Sequence, residues 1–297
     1  MLVSHRRSVA PALGAVVETR SLLHPSFRLD VTRHERVVHD ERLHRTLAYR
    51  RPDPERSWLL AVVEGRMQVE GAGIARWLGP GDVVLARDRA GLLLRQEGEP
   101  FVAVSLAWRE DTLARGLHGG ARLARLRATD LAGLGQAAAT IAPELTADAA
   151  REVFRDALAH LRSVAPFDVD APRTWREEAP PQATILSRAL DRTLSSLSRQ
   201  PMMVDLEREV GVSSRQLQRL VARFNAHYGF DEGGWRDTLM RRRMLVGCCL
   251  MTVPGATTEL VASALGYGSA TAFCRAFAES RLPSPMNIRA ATWKLVA

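Results

Sequence analysis

The sequence predicts an α+β protein, with a barrel of short strands in its first half and an all-helical second half. Three observations carry this. Between Phe27 and Trp108, short apolar runs alternate with Gly- and Pro-containing turns, the pattern of a sandwich or barrel. From residue 111 to about 166 the apolar spacing changes to three and four residues. From Gln182 onward everything keeps that helical period, and one pattern occurs twice, at 205–224 and 259–277: a short apolar helix, a glycine, a serine and a second helix.

Taken in order, residues 1–26 carry Pro11 and Pro25 and no sustained period, so they are expected to be irregular. Phe27, Leu29 and Val31 alternate as in a strand and lead into a second stretch from Arg36 to His39. Thr46 to Tyr49 is the next candidate. The run from Trp58 to Val63 is expected to turn at Glu64-Gly65 into a strand from Met67 to Glu70. Gly71 and Gly73 turn the chain into Ile74 to Leu78, and Gly79-Pro-Gly-Asp82 is a strong turn. Val83 to Ala86, Leu92 to Arg95 and Phe101 to Trp108 complete about eight strands. Leu113, Leu117, Leu123, Leu126, Val153, Phe154, Leu158 and Leu161 then mark several helices. The stretch 166–181, with Pro166, Pro172, Pro180 and Pro181, is the best boundary in the chain. The expected division is 1–110, 111–181 and 182–297.

The net charge is +8, from 41 Lys and Arg against 33 Asp and Glu, and Lys294 is the sole lysine. Residues 182–297 hold 15 of the basic and 9 of the acidic groups, so most of the excess lies with the repeated motif. A basic helical half suits nucleic acid; a GC-rich coding bias toward Arg explains the composition equally well. Three cysteines, Cys248, Cys249 and Cys274, give neither a disulfide framework nor a zinc set. With no apolar leader and no membrane-length apolar run, the expectation is a soluble protein in a reducing cytoplasm.

Each repeat is a helix-turn-helix unit. Gly211 and Gly266 stand at the turns, and Ser213 and Ser269 can cap the second helices. In the first unit Leu217, Leu220, Val221 and Phe224 form the buried stripe, which leaves Arg215, Gln218 and Arg219 on the opposite face and Ser214 at its N-terminal edge. A recognition helix reads bases from its first turns; Arg forks to guanine and Gln pairs with adenine. The same positions also fit the solvated face of any amphipathic helix. In the second unit the exposed positions are Ala270, Thr271, Cys274 and Arg275, and Arg275 is the best candidate for a base or phosphate. Cys274 faces the same way; as a thiolate near the phosphates, its oxidation would weaken binding. Arg241-Arg-Arg243, between the units, reads first as a solvated charge run, and Cys248 and Cys249 as packed residues of the helix that carries it.

Residues 182–292 resemble the AraC/XylS family of bacterial transcription regulators. The resemblance rests on the two units joined by a long helix near 235–251, and on Gly266-Tyr267, Ser269, Phe273, Arg275, Phe277, Ser284-Pro285 and Arg289, which fall at the spacing of the family's terminal signature. It implies double-stranded DNA as partner, contacted by Ser214, Arg215, Gln218, Arg219, Thr271, Cys274 and Arg275, RNA polymerase as a second partner of an activator, and a homodimer formed through the helices of 111–165. The chain departs from the family where Gly229-Phe-Asp-Glu232 and then Gly233-Gly234 replace the usual G-x-[ST]-P, and where Ala270, Ala278, Glu279, Leu282 and Ile288 stand. The first departure puts the start of the linking helix in question; Ala270 weakens base reading by the second unit.

Residues 27–108 look like the family's cupin-like barrel, on Gly65, the Gly71/Gly73 turn and the run from Leu78 to Leu85. The metal set of cupin enzymes is absent, and His39, His44 and His118 stand without partners at ligand spacing, so no metal, no cofactor and no catalysis are expected. A barrel holds one small effector. Trp58, Trp77 and Trp108 are core or pocket aromatics, and Arg45, Arg66 or Arg95 suit an anionic ligand, but the effector and its contact residues stay unknown. Two other classes compete: a relative working mainly through protein contacts, and a cupin-type enzyme with a helical appendage.

Overall fold

A computed structural model describes residues 1–43, 56–86, 91–109, 120–168, 179–230 and 233–293. Among them the chain is α+β. Nine strands form one antiparallel sheet: β1 (Leu2–Ala10), β2 (Ala15–His24), β3 (Phe27–Glu35), β4 (His39–Asp40), β5 (Arg56–Gly71), β6 (Ile74–Leu78), β7 (Asp82–Ala86), β8 (Leu93–Arg109) and β9 (Arg122–Arg125). Pairing runs β1-β2-β3-β8-β5-β7-β9, with β4 on β8 and β6 on β5.

The sheet is apolar on both faces because its central strands alternate between two cores. Leu59, Ala61, Val83, Leu85, Val104 and Leu106 point one way, toward helices α1 (Ala128–Thr140) and α2 (Ala147–Leu161). Trp58, Leu60, Val62, Val84 and Ala103 point the other way, and there they meet Met67, Val69, Leu94 and Phe101 from the far ends of the same long strands. The second core is therefore made by the sheet curling over itself. The bend comes from register shifts on β5 between Val62 and Arg66. Glu64-Gly65, expected as a hairpin turn, is this bulge, and the two short strands expected there are one strand.

Two further expectations are corrected. Residues 1–26 are not irregular: β1 and β2 pair through nine residues, from Leu2 opposite Leu23 to Ala10 opposite Ala15. Residues 122–125, expected in a helix, are strand β9 on β7. The candidates at 46–49, with Leu113, Leu117, Arg45, His44 and His118, lie outside the described residues. Leu158 and Leu161 are fully buried against the sheet with Phe27, Phe154 and Trp108, so they are unavailable as a stripe between two copies. Trp58 and Trp108 are core, whereas Trp77 is exposed with Arg66 stacked 4.8 Å over its ring.

The helical half contains α3 (Pro181–Ser195), α4 (Met203–Val210), α5 (Ser214–Tyr228), α6 (Trp235–Leu250), α7 (Thr258–Ala264), α8 (Ala270–Glu279) and α9 (Pro285–Trp293). Its two cores are continuous with the sheet. Leu2 and Leu23 join Leu186, Leu190, Leu206 and Leu217, while Ala10, Leu13, Val17 and Val37 join Met244, Leu250 and Phe277. The hairpin of β1 and β2 thus supplies apolar surface to both helix-turn-helix cores.

Polar contacts fix that docking. Asp191 on α3 accepts from Ser4 Oγ at 2.7 Å, from the His5 backbone N–H at 2.8 Å and from Arg6 Nε at 3.2 Å. Arg242 on α6 is buried and donates through Nη2 to Ser8 Oγ (3.1 Å), Arg6 O and Val17 O (both 3.3 Å). The expected solvated run at 241–243 is therefore wrong for its middle residue. Its third residue is half-buried too, with Arg243 lying 5.1 Å over the Tyr267 ring. Arg6 and Arg28 both stack on Phe230, each 4.9 Å from the ring, and Arg28 donates to Gly229 O at 3.0 Å, where α5 ends.

Candidate nucleic-acid interface

The first unit is α4, a turn at Gly211, and α5. Gly211 takes the left-handed conformation and closes α4 by donating its N–H to Glu207 O at 2.8 Å. Ser213 is the N-cap of α5, and its own N–H donates to Gln216 Oε1 at 3.1 Å, half of a reciprocal cap. Leu206, Leu217, Val221 and Phe224 hold the helices together as one apolar stripe.

The second unit repeats the plan in α7 and α8. Thr257 caps α7 by accepting from Leu260 N, and Ser269 caps α8 by accepting from Ala272 N at 3.1 Å. Val261, Leu265, Phe273 and Phe277 are its core. Gly266 closes α7 at φ +74, and a Cβ there would stand 2.3 Å from Leu197 O. Gly211 has the same backbone conformation (φ +72) with open space around it. Gly266→Ala is therefore expected to cost about 2–3 kcal/mol, strain plus collision, and Gly211→Ala about half as much. Thermal midpoints of the two variants check this; equal shifts would mean that the Leu197 contact yields.

One helix carries both units. The first turns of α6 bury Trp235 beside Phe224 in one core, and its second half buries Met244, Val246, Cys248 and Cys249 in the other, as expected for the two cysteines. Asn225, fully buried, ties α5 to the start of α6 by donating to Gly233 O (2.8 Å) and Thr238 Oγ1 (2.9 Å).

The seven residues singled out from the sequence fall into two groups. Arg215 and Arg219 are exposed on α5, and Thr271, Cys274 and Arg275 on α8. Among the described residues, neither Arg215 nor Arg219 forms an ion pair. Ser214 is exposed, but its hydroxyl donates to the Glu207 carboxylate, which links α5 back to α4. Gln218 is turned inward: its Oε1 accepts the Trp235 N–H at 3.0 Å and its Nε2 lies 3.2 Å from Met203 Sδ.

The Gln218 contact has a local cause. Helix α6 begins after Gly234, which offers no side-chain cap, so the first N–H groups need an acceptor from elsewhere. Gln218 supplies it. Gln218→Ala is expected to lower stability by about 1 kcal/mol and to leave base preference unchanged. A melting curve and a binding-site selection on the same variant test this; a changed preference at an adenine with unchanged stability would reverse the assignment.

Arg223 was missed. It is exposed, and with Arg215 and Arg219 it completes a row spaced by four residues along α5. That spacing was visible in the sequence. Its place, two turns beyond the helix start, suits a phosphate better than a base edge.

Among the described residues no group of three His, Cys, Asp or Glu side chains is arranged to hold a metal, and no helix is long and apolar enough to cross a membrane.

No family model matches the chain, and no curated protein sequence does. Solved structures similar to it include ToxT from Vibrio cholerae O395, 13% identical, covering 89% of this chain and 97% of that one with a TM-score of 0.35. Wild-type ToxT of Vibrio cholerae strain SCE256, bound to an unsaturated fatty acid, is 11% identical over 90% of this chain and 95% of that one, with a TM-score of 0.35. The AraC-like transcriptional activator CuxR is 17% identical over 82% of this chain and 86% of its own length, with a TM-score of 0.33.

Proposed function

We propose that this protein is a sequence-specific DNA-binding transcription regulator whose two helix-turn-helix units read neighbouring major grooves. The observation that carries the reading is the pairing of two capped second helices, α5 and α8, mounted on opposite ends of α6, each with its apolar face buried and its polar face open. In this reading Arg215 and Arg219 contact bases from the first turns of α5, and Arg223 binds a phosphate. Thr271 and Arg275 contact DNA from α8, with Cys274 beside them. Ser214 and Gln218 act indirectly, by fixing how α5 is held. The first unit supplies most of the sequence preference, since α8 begins with Ala270 and brings one arginine.

The sheet is the regulatory part. It reaches the reader through β1 and β2, and Arg6 and Arg28 grip Phe230 at the end of α5. A small molecule held by the sheet would act through those contacts, and an activator would pass the signal to RNA polymerase. Phosphate contacts release counterions, so affinity is expected to fall steeply between about 50 and 200 mM salt, by roughly 10³-fold for six contacts. Anisotropy of a labelled duplex measures this, and a flat response would refute a large phosphate share.

A further inference from the structure

The seam between the sheet and α6 holds a set of polar side chains that DNA reading does not use. His39, the first residue of β4, lies between two partners. Cys249 Sγ on α6 is 3.6 Å from its Nδ1, and Glu41 Oε1 is 3.9 Å from its Nε2. Glu41 is fixed in turn, because its Oε2 accepts the Leu94 N–H at 3.1 Å. Sulfur, imidazole and carboxylate follow one another in the order that activates a cysteine nucleophile.

The charge state fits the geometry. Burial alone would drive His39 neutral, but the hydrogen bonds and charges of Cys249 and Glu41 prevail and raise its pKa to about 10. His34 stacks on it at 5.4 Å and is held well below the usual histidine range by burial, with the charges of His39 and Arg242 adding to the effect. The seam therefore carries one imidazolium, on the ring that touches the sulfur. Burial pushes the thiol of the neighbouring Cys248 well up.

We propose that Cys249 is a covalent modification site, activated by His39 and Glu41, that takes small neutral electrophiles of the α,β-unsaturated carbonyl class. Cys249 reacts in its thiolate form, paired with the His39 imidazolium, and a sulfur lone pair forms a C–S bond to the β-carbon. The C=C π pair moves toward the carbonyl as an enolate, and the α-carbon takes the proton from His39. The step is an addition, with no oxidant and no leaving group. Neutral molecules are favoured because Cys249 is 1% exposed and sits among Val37, Leu250 and Val253, where a charged reagent would lose its hydration. Reaction occurs as the seam opens, and the adduct keeps it from closing, since a packed interior does not accept several added heavy atoms. The Val38 N–H bond to Thr252 Oγ1, 2.8 Å long in the same seam, is lost with it. Loosening of α6 then weakens DNA binding, a consequence that rests on the proposed DNA reading.

Limited labelling of the full-length native protein with N-ethylmaleimide, followed by peptide mass spectrometry, tests the site. The exposed Cys274 and the buried Cys248 are internal controls. Cys249 is expected to label at least about tenfold faster than Cys248, although both are buried. His39→Gln should slow Cys249 to about the rate of Cys248 and leave Cys274 unchanged, and iodoacetate should react with Cys249 more slowly than the maleimide does. Labelling of Cys249 in step with Cys248, or only in denaturant, overturns the proposal. If His39→Gln does not fold, the comparison of three cysteines in the unaltered protein decides alone. The labelling needs no DNA, so a protein that binds no DNA yet shows this pattern refutes the regulator and keeps the site.

Discussion

Arg242→Ala lowers the unfolding free energy of the full-length protein by about 2–4 kcal/mol. Arg242 is the buried cation through which α6 holds both strands of the N-terminal hairpin, with one Nη2 shared among Ser8 Oγ, Arg6 O and Val17 O. Truncation removes charge-assisted bonds and leaves acceptors in a dry seam, where each costs about 1–3 kcal/mol. Arg236, exposed at the start of the same helix, is the control, and its change to Ala should stay within about 0.5 kcal/mol. Urea unfolding of both variants measures the difference. Hydrogen exchange adds a local readout, because Arg242→Ala should raise exchange at β1 and β2 before it does so in β5 and β8. Equal stabilities for the two variants would show that the hairpin is not held through Arg242.

Arg219→Ala costs about 1–3 kcal/mol at one base pair of the operator and leaves the other positions as they were. Arg219 is exposed in the second turn of α5, on the face opposite Leu217 and Val221, which in the proposed reading lets its forked donor meet a guanine edge. Arg223→Ala, one turn further on, should behave differently: a uniform loss across sequences and a salt slope smaller by about one. Selection from a randomised site with each variant separates the two. An unchanged site for Arg219→Ala would remove it from the readers, and a lost base preference for Arg223→Ala would exchange their roles.

The helical half was legible in the sequence because its signals are local. Caps at Ser213 and Ser269, glycines at the turns and apolar residues every three or four positions each act within a few residues, and the structure places them as expected. The N-terminal hairpin was not legible, since His5, Arg6 and Arg7 interrupt any strand period in β1. The His5 and Arg6 side chains are met by Glu18 and Asp191, and the backbone N–H groups of His5 and Arg7 by Asp191 and Ser195, the last two residues nearly two hundred positions away. Gly65 was misread because a Glu-Gly pair in a strand pattern fits a turn and a bulge equally well; only the long partner strand β8 decides between them. Gln218 has contacts the sequence does not announce, for a related reason. Periodicity put it on the open face, but the uncapped start of α6, seventeen residues later, draws its amide inward. Arg242 was hidden among Arg241 and Arg243, where three like charges in a row resemble a solvated face. In each case the missing information was a partner remote in sequence.

The central claim is that one protein molecule reads DNA with two units. Selection of full-length protein against random DNA fragments at physiological salt, followed by sequencing, tests it most directly. The expected result is a shared site with two half-motifs about one helical turn apart, roughly 10 base pairs from centre to centre. Recovery of no site above the input would contradict the account.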